Sequence, residues 1–171
     1  MPETFEQYRN RMLGNVKGQN PLKVQAATPQ KLARLLKGVP KAKLRKRPAP
    51  GKWSAHEIMT HLSDTEIVLG FRIRLILGNP GTPIMAFDQD TWLAACHYDK
   101  RDTITALEQF SALRKANLAL FKALRPEQWK HFGMHSERGE ETIETMLTMM
   151  AGHDVNHIMQ IERILKPPKS R

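Results

Sequence analysis

The segment from about residue 140 to 165 carries an unbroken apolar stripe with two histidines set into it. Ile143, Met146, Met150, His153, His157, Ile161 and Ile164 step by three or four throughout, which places them on one face of a helix. Such a helix buries its stripe against other helices, so both imidazoles are expected inside a bundle. A buried neutral imidazole needs partners for its ring nitrogens, because an unsatisfied polar group in the interior costs about 1–3 kcal/mol. Two imidazoles four residues apart on one helix face also have the spacing of metal ligands. Seven histidines in 171 residues give roughly 0.3 chance pairs at any fixed spacing. Spacing therefore leaves two readings open: core or interface histidines paired with carboxylates and backbone, or ligands of a cation.

The rest of the chain supplies the helices that face this stripe. Phe5, Tyr8, Met12 and Leu13 predict a short helix over 3–14, ended by Gly14 and Gly18. Thr28-Pro29 reads as a cap and first residue of a second short helix with Leu32, Leu35 and Leu36 on one face, stopped at Gly38-Val39-Pro40. Residues 41–52, basic and proline-rich, read as a non-helical connector. From Trp53 to about Leu77 the pattern predicts the first long helix, with Ser54 and Glu57 as a capping box and Ile58, Leu62, Leu69, Ile73 and Ile76 as its stripe. Residues 78–83 are a loop, and Phe87 to Trp92 opens a short helix capped by Asp88 or Asp90. Asp102 or Thr103 caps the next long helix, which carries Ile104 to Phe121 up to about Leu124; Arg125 to Trp129 is a turn with a brief helix. His131 to Gly139 reads as a polar loop, and the last long helix runs from about Glu140 to Leu165, stopped by Pro167-Pro168. The sum is an all-α fold, an antiparallel four-helix bundle with short extra helices, in a single domain over 1–171.

His61 lies beside the stripe of the first long helix, with Glu57, Asp64 and Val68 in its own row. It is the candidate for a third nitrogen. Three protein nitrogens leave a position for water, the arrangement of a catalytic site. His56 could replace His61, but at 100° per residue it points about 140° away, so the two do not ligate together. A single histidine beside an apolar stripe is more often a satisfied core residue. Asp64, Glu57, Asn156 and Gln160 are candidates for orienting imidazoles or a bound water, Asp64 and Gln160 being the catalytic candidates. Arg72 and Arg74 are candidates for holding an anionic substrate. His135, before the turn of Ser136 to Gly139, either reaches the bundle mouth or caps that turn.

Cys96 is the only cysteine, which excludes an intrachain disulfide and a cysteine-rich metal site and fits a reducing compartment. The acidic start Glu3 to Glu6 has no apolar leader, and no stretch reaches eighteen uncharged apolar residues, so a cytoplasmic protein without a membrane segment is expected. The formal charge of +10 raises nucleic acid as a partner. Much of the excess, however, sits in Lys41, Lys43, Arg45, Lys46 and Arg47 and in the tail, with no aromatic residues interleaved, so a solvated basic surface is expected. The chain has no GxSxG, phosphate-binding glycine loop or dinucleotide fingerprint.

Several stretches resemble the DinB-like (YfiT-like) metalloenzymes. Gly51-Lys52-Trp53-Ser54 followed by His61-Leu62, Asp64 and Glu66 is similar to the start of that family's metal-bearing helix, and Arg72 to Leu77 to its end. Phe87 to Trp92, Leu113-Arg114, Asn117 to Leu120, Pro126 to Trp129 and His135 to Glu141 are similar to its middle. Ala151 to Asp154, Asn156-His157 and Gln160 to Leu165 resemble its closing signature. The resemblance implies a four-helix bundle, often a homodimer, whose divalent cation is held by His61, His153 and His157. Zinc or nickel is expected first, then iron or manganese. It further implies an enzyme that activates water or a low-molecular-weight thiol toward a small-molecule substrate, as hydrolase or thiol S-transferase. The alternative is a non-catalytic protein whose bundle the metal fixes.

Overall fold

A computed structural model describes residues 3–166. Seven helices occur among them: α1 (Phe5–Asn15), α2 (Pro21–Leu36), α3 (Lys41–Arg45), α4 (Ala55–Gly78), α5 (Gln89–Ala95), α6 (Thr103–Lys122) and α7 (Ile143–Leu165). α2 and α4 each pack against both α6 and α7 to form a four-helix bundle, and α1 lies against α7. No helix among the described residues is long and apolar enough to cross a membrane.

Helix starts follow side-chain chemistry. Ser54 caps α4 by accepting from the Glu57 amide while Glu57 reaches back to the Ser54 amide, the capping box expected from the sequence. Asp88 caps α5 and Asp102 caps α6, each accepting from two amides of the first turn. Arg47 pairs with Glu57, Lys41 with Asp102, and Arg45 donates to the carbonyls of Asp99 and Arg101, so part of the basic connector is used internally.

The second helix is longer than its sequence signals indicate. It begins at Pro21 with Asn20 as cap, and Thr28-Pro29 lies inside it. A proline there deprives the Gln25 carbonyl of its helical donor. Arg114 of α6 fills that place, donating from Nη1 to the Gln25 carbonyl at 3.1 Å. In the connector, Lys41–Arg45 forms one short helix, anchored by buried Leu44, before the prolines take effect. Pro167 and Pro168, expected to stop the last helix, lie outside the described residues.

The segment read as a polar loop contains a hairpin. β2 (Phe132–His135) pairs antiparallel with β3 (Gly139–Thr142), and β1 (Pro83–Ile84) adds to β2 in parallel. Gly139 turns the hairpin at φ 72°, a conformation that suits glycine. Because β3 runs to Thr142, α7 starts at Ile143 and not at Glu140, with Thr142 as its cap.

The interior is layered. One apolar cluster gathers Leu32, Leu36, Ile58, Leu62, Phe110 and Ile161, and a second gathers Leu69, Ile73, Phe121, Ile143 and Met146. Along α4, α6 and α7 the residues between these clusters are buried and polar: His61, Asp64 and Glu66, then Arg114 and Asn117, then His153, Asp154 and His157. The site lies in this layer.

Candidate metal centre

Half of the polar layer is an ion network. Arg114, buried against Phe110, donates to Glu66 at 2.8 Å and to both Asp154 oxygens at 2.5 and 3.1 Å. Asn117 Nδ2 donates to the other Glu66 oxygen at 2.8 Å. Burial works against the guanidinium charge, but Asp154 and Glu66 outweigh it and hold Arg114 above its ordinary value. The network clamps α2, α4, α6 and α7 around the turn that carries the histidines. Sequence reasoning gave Arg114 no role; its signal is the row Phe110, Arg114, Asn117, Phe121, in which a cation interrupts an apolar stripe.

The other half is imidazole. His153 Nε2 lies 3.1 Å from His61 Nε2 and 3.0 Å from His157 Nε2. His157 Nδ1 donates to Gln160 Oε1 at 2.8 Å, which leaves the Nε2 of His157 as a lone pair facing its neighbours. All three rings are buried, and burial pushes each below the usual imidazole value, His157 to about 4. The mutual repulsion of the rings adds to the lowering at His61 and His153. The site therefore holds neutral imidazoles at neutral pH.

Hydrogen bonding within the protein does not complete this cluster. With a lone pair on His157 Nε2, a single proton on His153 Nε2 can serve one of its two close contacts, and no arrangement makes both contacts full N–H···N bonds. One ligand atom from each of the three residues lies within 4.8 Å of the others. Nitrogens bound at about 2.1 Å to one cation lie roughly 3.0–3.4 Å apart for ligand angles of about 90–110°. The His153 separations of 3.0 and 3.1 Å sit in that range, so the donor set fits a cation.

Neighbours fix the rings. Trp53 packs edge-on against His61 with centroids 5.0 Å apart, and its Nε1 donates to Asp90 at the start of α5 at 3.1 Å. Thr65 Oγ1, donating to the His61 carbonyl at 2.8 Å, sits 3.4 Å from His61 Nε2. α1 approaches α7 so closely that a Cβ on Gly152 would fall 2.0 Å from the Met12 carbonyl oxygen, which sets the turn just before His153.

Two cavities reach the triad. One, of about 250 Å³, touches His61 and His153 and is walled by Tyr8, Arg72, Phe87 and three methionines of α7. The other, of about 460 Å³, touches His157 and Gln160 beside Trp53. Gln89 borders both.

The remaining sequence candidates fall at different distances from this centre. Gln160 orients His157 directly. Arg72 lines the smaller cavity, whereas Arg74 donates to the Gly70 carbonyl and to Asn117 and lines neither. Both oxygens of Asp64 are engaged by Arg101 at 2.7 and 2.8 Å, and Asp64 lines neither cavity. His135 caps its turn, Nδ1 accepting from the Glu137 amide at 3.2 Å. His56 is bound away from the triad by Thr103 and the Tyr98 carbonyl at 2.8 and 2.7 Å. Glu57 serves the cap of α4, and Asn156 accepts from Arg11. Tyr8, Trp53 and Arg101 were given no site role from sequence, because their contacts join segments far apart in the chain, and Arg138 and Glu141 were given none because their pairing depends on the hairpin.

Known proteins share this fold. Over 94% of the chain the fold matches YfiT from Bacillus subtilis with a TM-score of 0.75 at 22% identity, covering 88% of that chain; YfiT is described as a candidate metal-dependent hydrolase with an unusual four-helix bundle topology. Two proteins of Oceanobacillus iheyensis, both named as candidate metal-dependent hydrolases, are 23% and 24% identical over 113 and 116 residues. Those alignments cover 66% and 68% of this chain and 64% and 67% of the relatives, so the chain matches less than two thirds of the first one's length. The model of the DinB superfamily matches residues 26–161, from within α2 to Ile161 and including all three histidines, and the chain belongs to the DinB superfamily.

Proposed function

We propose that His61, His153 and His157 hold one divalent cation through their Nε2 atoms and that the protein is a metal-dependent hydrolase of a small molecule. The observation that carries this reading is the convergence of three buried Nε2 atoms, a cluster that protons alone leave incomplete. The names of the relatives support the same reaction class. Three nitrogens leave coordination positions free, and a cation bound there supplies a Lewis acid that lowers the pKa of water to about 7. Gln160 holds His157 in the ligating tautomer. Trp53, pinned by Asp90, fixes the His61 ring and screens one side of it from solvent. Zinc or nickel is the expected cation, both being suited to imidazole ligands.

The second cavity supports a second reading, transfer to a low-molecular-weight thiol, since it gives a co-substrate its own place beside His157 and Gln160. The test of both is turnover of a panel of activated esters and amides by protein treated with chelator and then resupplied with zinc or nickel. Hydrolysis is expected to fall to background and return with metal, in the absence of thiol. A rate indifferent to chelation contradicts metal dependence, and a rate that requires added thiol favours transfer over hydrolysis.

A further inference from the structure

We propose that the smaller cavity beside the triad is the binding site of a small organic acid, its carboxylate held by Arg72 and its apolar part laid against the methionines of α7. This deepens the proposed function by naming the substrate class, and it rests on that reading only for the chemistry at the far end of the cavity.

The charges around the cavity single out Arg72. Arg138 and Glu141, brought there by the hairpin, face each other in a two-pronged ion pair at 2.8 Å and cancel. His61 and His153 are neutral. Arg72 is half-buried and has no carboxylate within ion-pairing distance among the described residues. Among the described residues its only side-chain hydrogen bond is from Nη2 to the Met85 carbonyl, and its guanidinium lies 5.9 Å over the Phe87 ring. Burial is the first cause acting against its charge, while the opposing influences of Arg138 and Glu141 offset each other, so holding it there without a directly paired carboxylate is costly. A planar guanidinium with free N–H groups matches a carboxylate in a fork geometry.

The remaining walls fix the rest of the ligand. Val68, Leu69, Met146, Met149 and Met150 line the same cavity as Arg72 and the imidazoles and give it apolar walls. Methionine adapts to irregular apolar shapes. A cavity of about 250 Å³ holds on the order of ten non-hydrogen atoms at liquid-like packing. The ligand is therefore a monoanion of modest length whose uncharged end reaches the triad.

The experiment measures binding of straight-chain acids from butanoate to octanoate, and of the matching primary amides, to the full chain by calorimetry. Zinc-loaded and chelator-stripped protein are both used. Carboxylates are expected to bind at least tenfold tighter than their amides in both forms. Arg72→Ala and Arg72→Gln are each expected to erase that preference while their melting temperatures stay within a few degrees of the parent; Arg72→Gln keeps the test open if Arg72→Ala does not fold. No binding by any acid overturns the proposal, as does a carboxylate preference that survives loss of Arg72. A preference that vanishes on stripping places the carboxylate on the cation, which overturns this proposal and leaves the proposed function intact. An Arg72-dependent preference in a protein that takes up no metal supports the cavity and overturns the proposed function instead.

Discussion

Gln160 and Gly152 show how little of the site is made by the three histidines alone. Gln160 commits the proton of His157 to Nδ1, and removing such an outer partner typically costs 10–100-fold in metal affinity. Gln160→Leu is accordingly expected to weaken zinc binding about tenfold or more, read by competition with a fluorescent chelator, with little change in the melting temperature of the metal-free protein. Gly152→Ala is expected to act the other way round. Its added carbon would meet the Met12 carbonyl at 2.0 Å, and α1 can relieve that only by leaving α7. A loss of about 2 kcal/mol or more is expected in urea unfolding, and an unchanged midpoint would mean that α1 does not pack as described.

The buried histidines govern the response to acid. His56, His61, His153 and His157 are all held below the ordinary imidazole value, burial being the first cause at each. Unfolding frees them to take up protons near pH 6.5, so the unfolded chain binds more protons than the folded one below that point. Their contribution is full above about pH 6.5 and drains away as the pH falls, reaching His157 at about 4. The urea midpoint of metal-free protein is expected to drop steadily between those values. A flat profile would contradict the burial of neutral imidazoles.

At the level of elements, α2 and the hairpin explain where sequence reading stops. α4 was legible from Ser54, Glu57 and its stripe because cap and stripe lie within one segment. α7 was legible from the row Ile143 to Ile164, histidines included, for the same reason. The length of α2 was not, because Pro29 looks like a start until Arg114 of α6 is seen serving the carbonyl that Pro29 leaves free. The hairpin was missed because two four-residue strands flanked by polar residues carry too little alternation to stand out. Asp64 looked free to act on the triad because its partner, Arg101, lies 37 residues away. Arg114 binds these elements together, and its loss alone leaves two buried carboxylates unpaired. Arg114→Met is expected to cost about 3–5 kcal/mol in urea unfolding, much of it recovered when Glu66→Gln and Asp154→Asn are added. Equal losses in the single and triple variants would contradict the clamp.

On the scale of the whole molecule, two apolar clusters give the bundle its stability and the polar layer between them gives it a site. The ion network fixes the four helices, and the imidazoles occupy the part of the layer that opens to both cavities. The sequence resemblance and the three-dimensional cluster name the same three histidines, but only the fold places Arg72 and the hairpin's ion pair around the adjoining cavity. The most direct measurement is elemental analysis of protein purified without chelator, with His61→Ala, His153→Ala and His157→Ala prepared in parallel and checked for folding by circular dichroism. One divalent cation per parent chain is expected, falling below about a tenth in each folded variant. A metal-free parent, or variants that carry as much metal as the parent, would contradict the three-histidine centre.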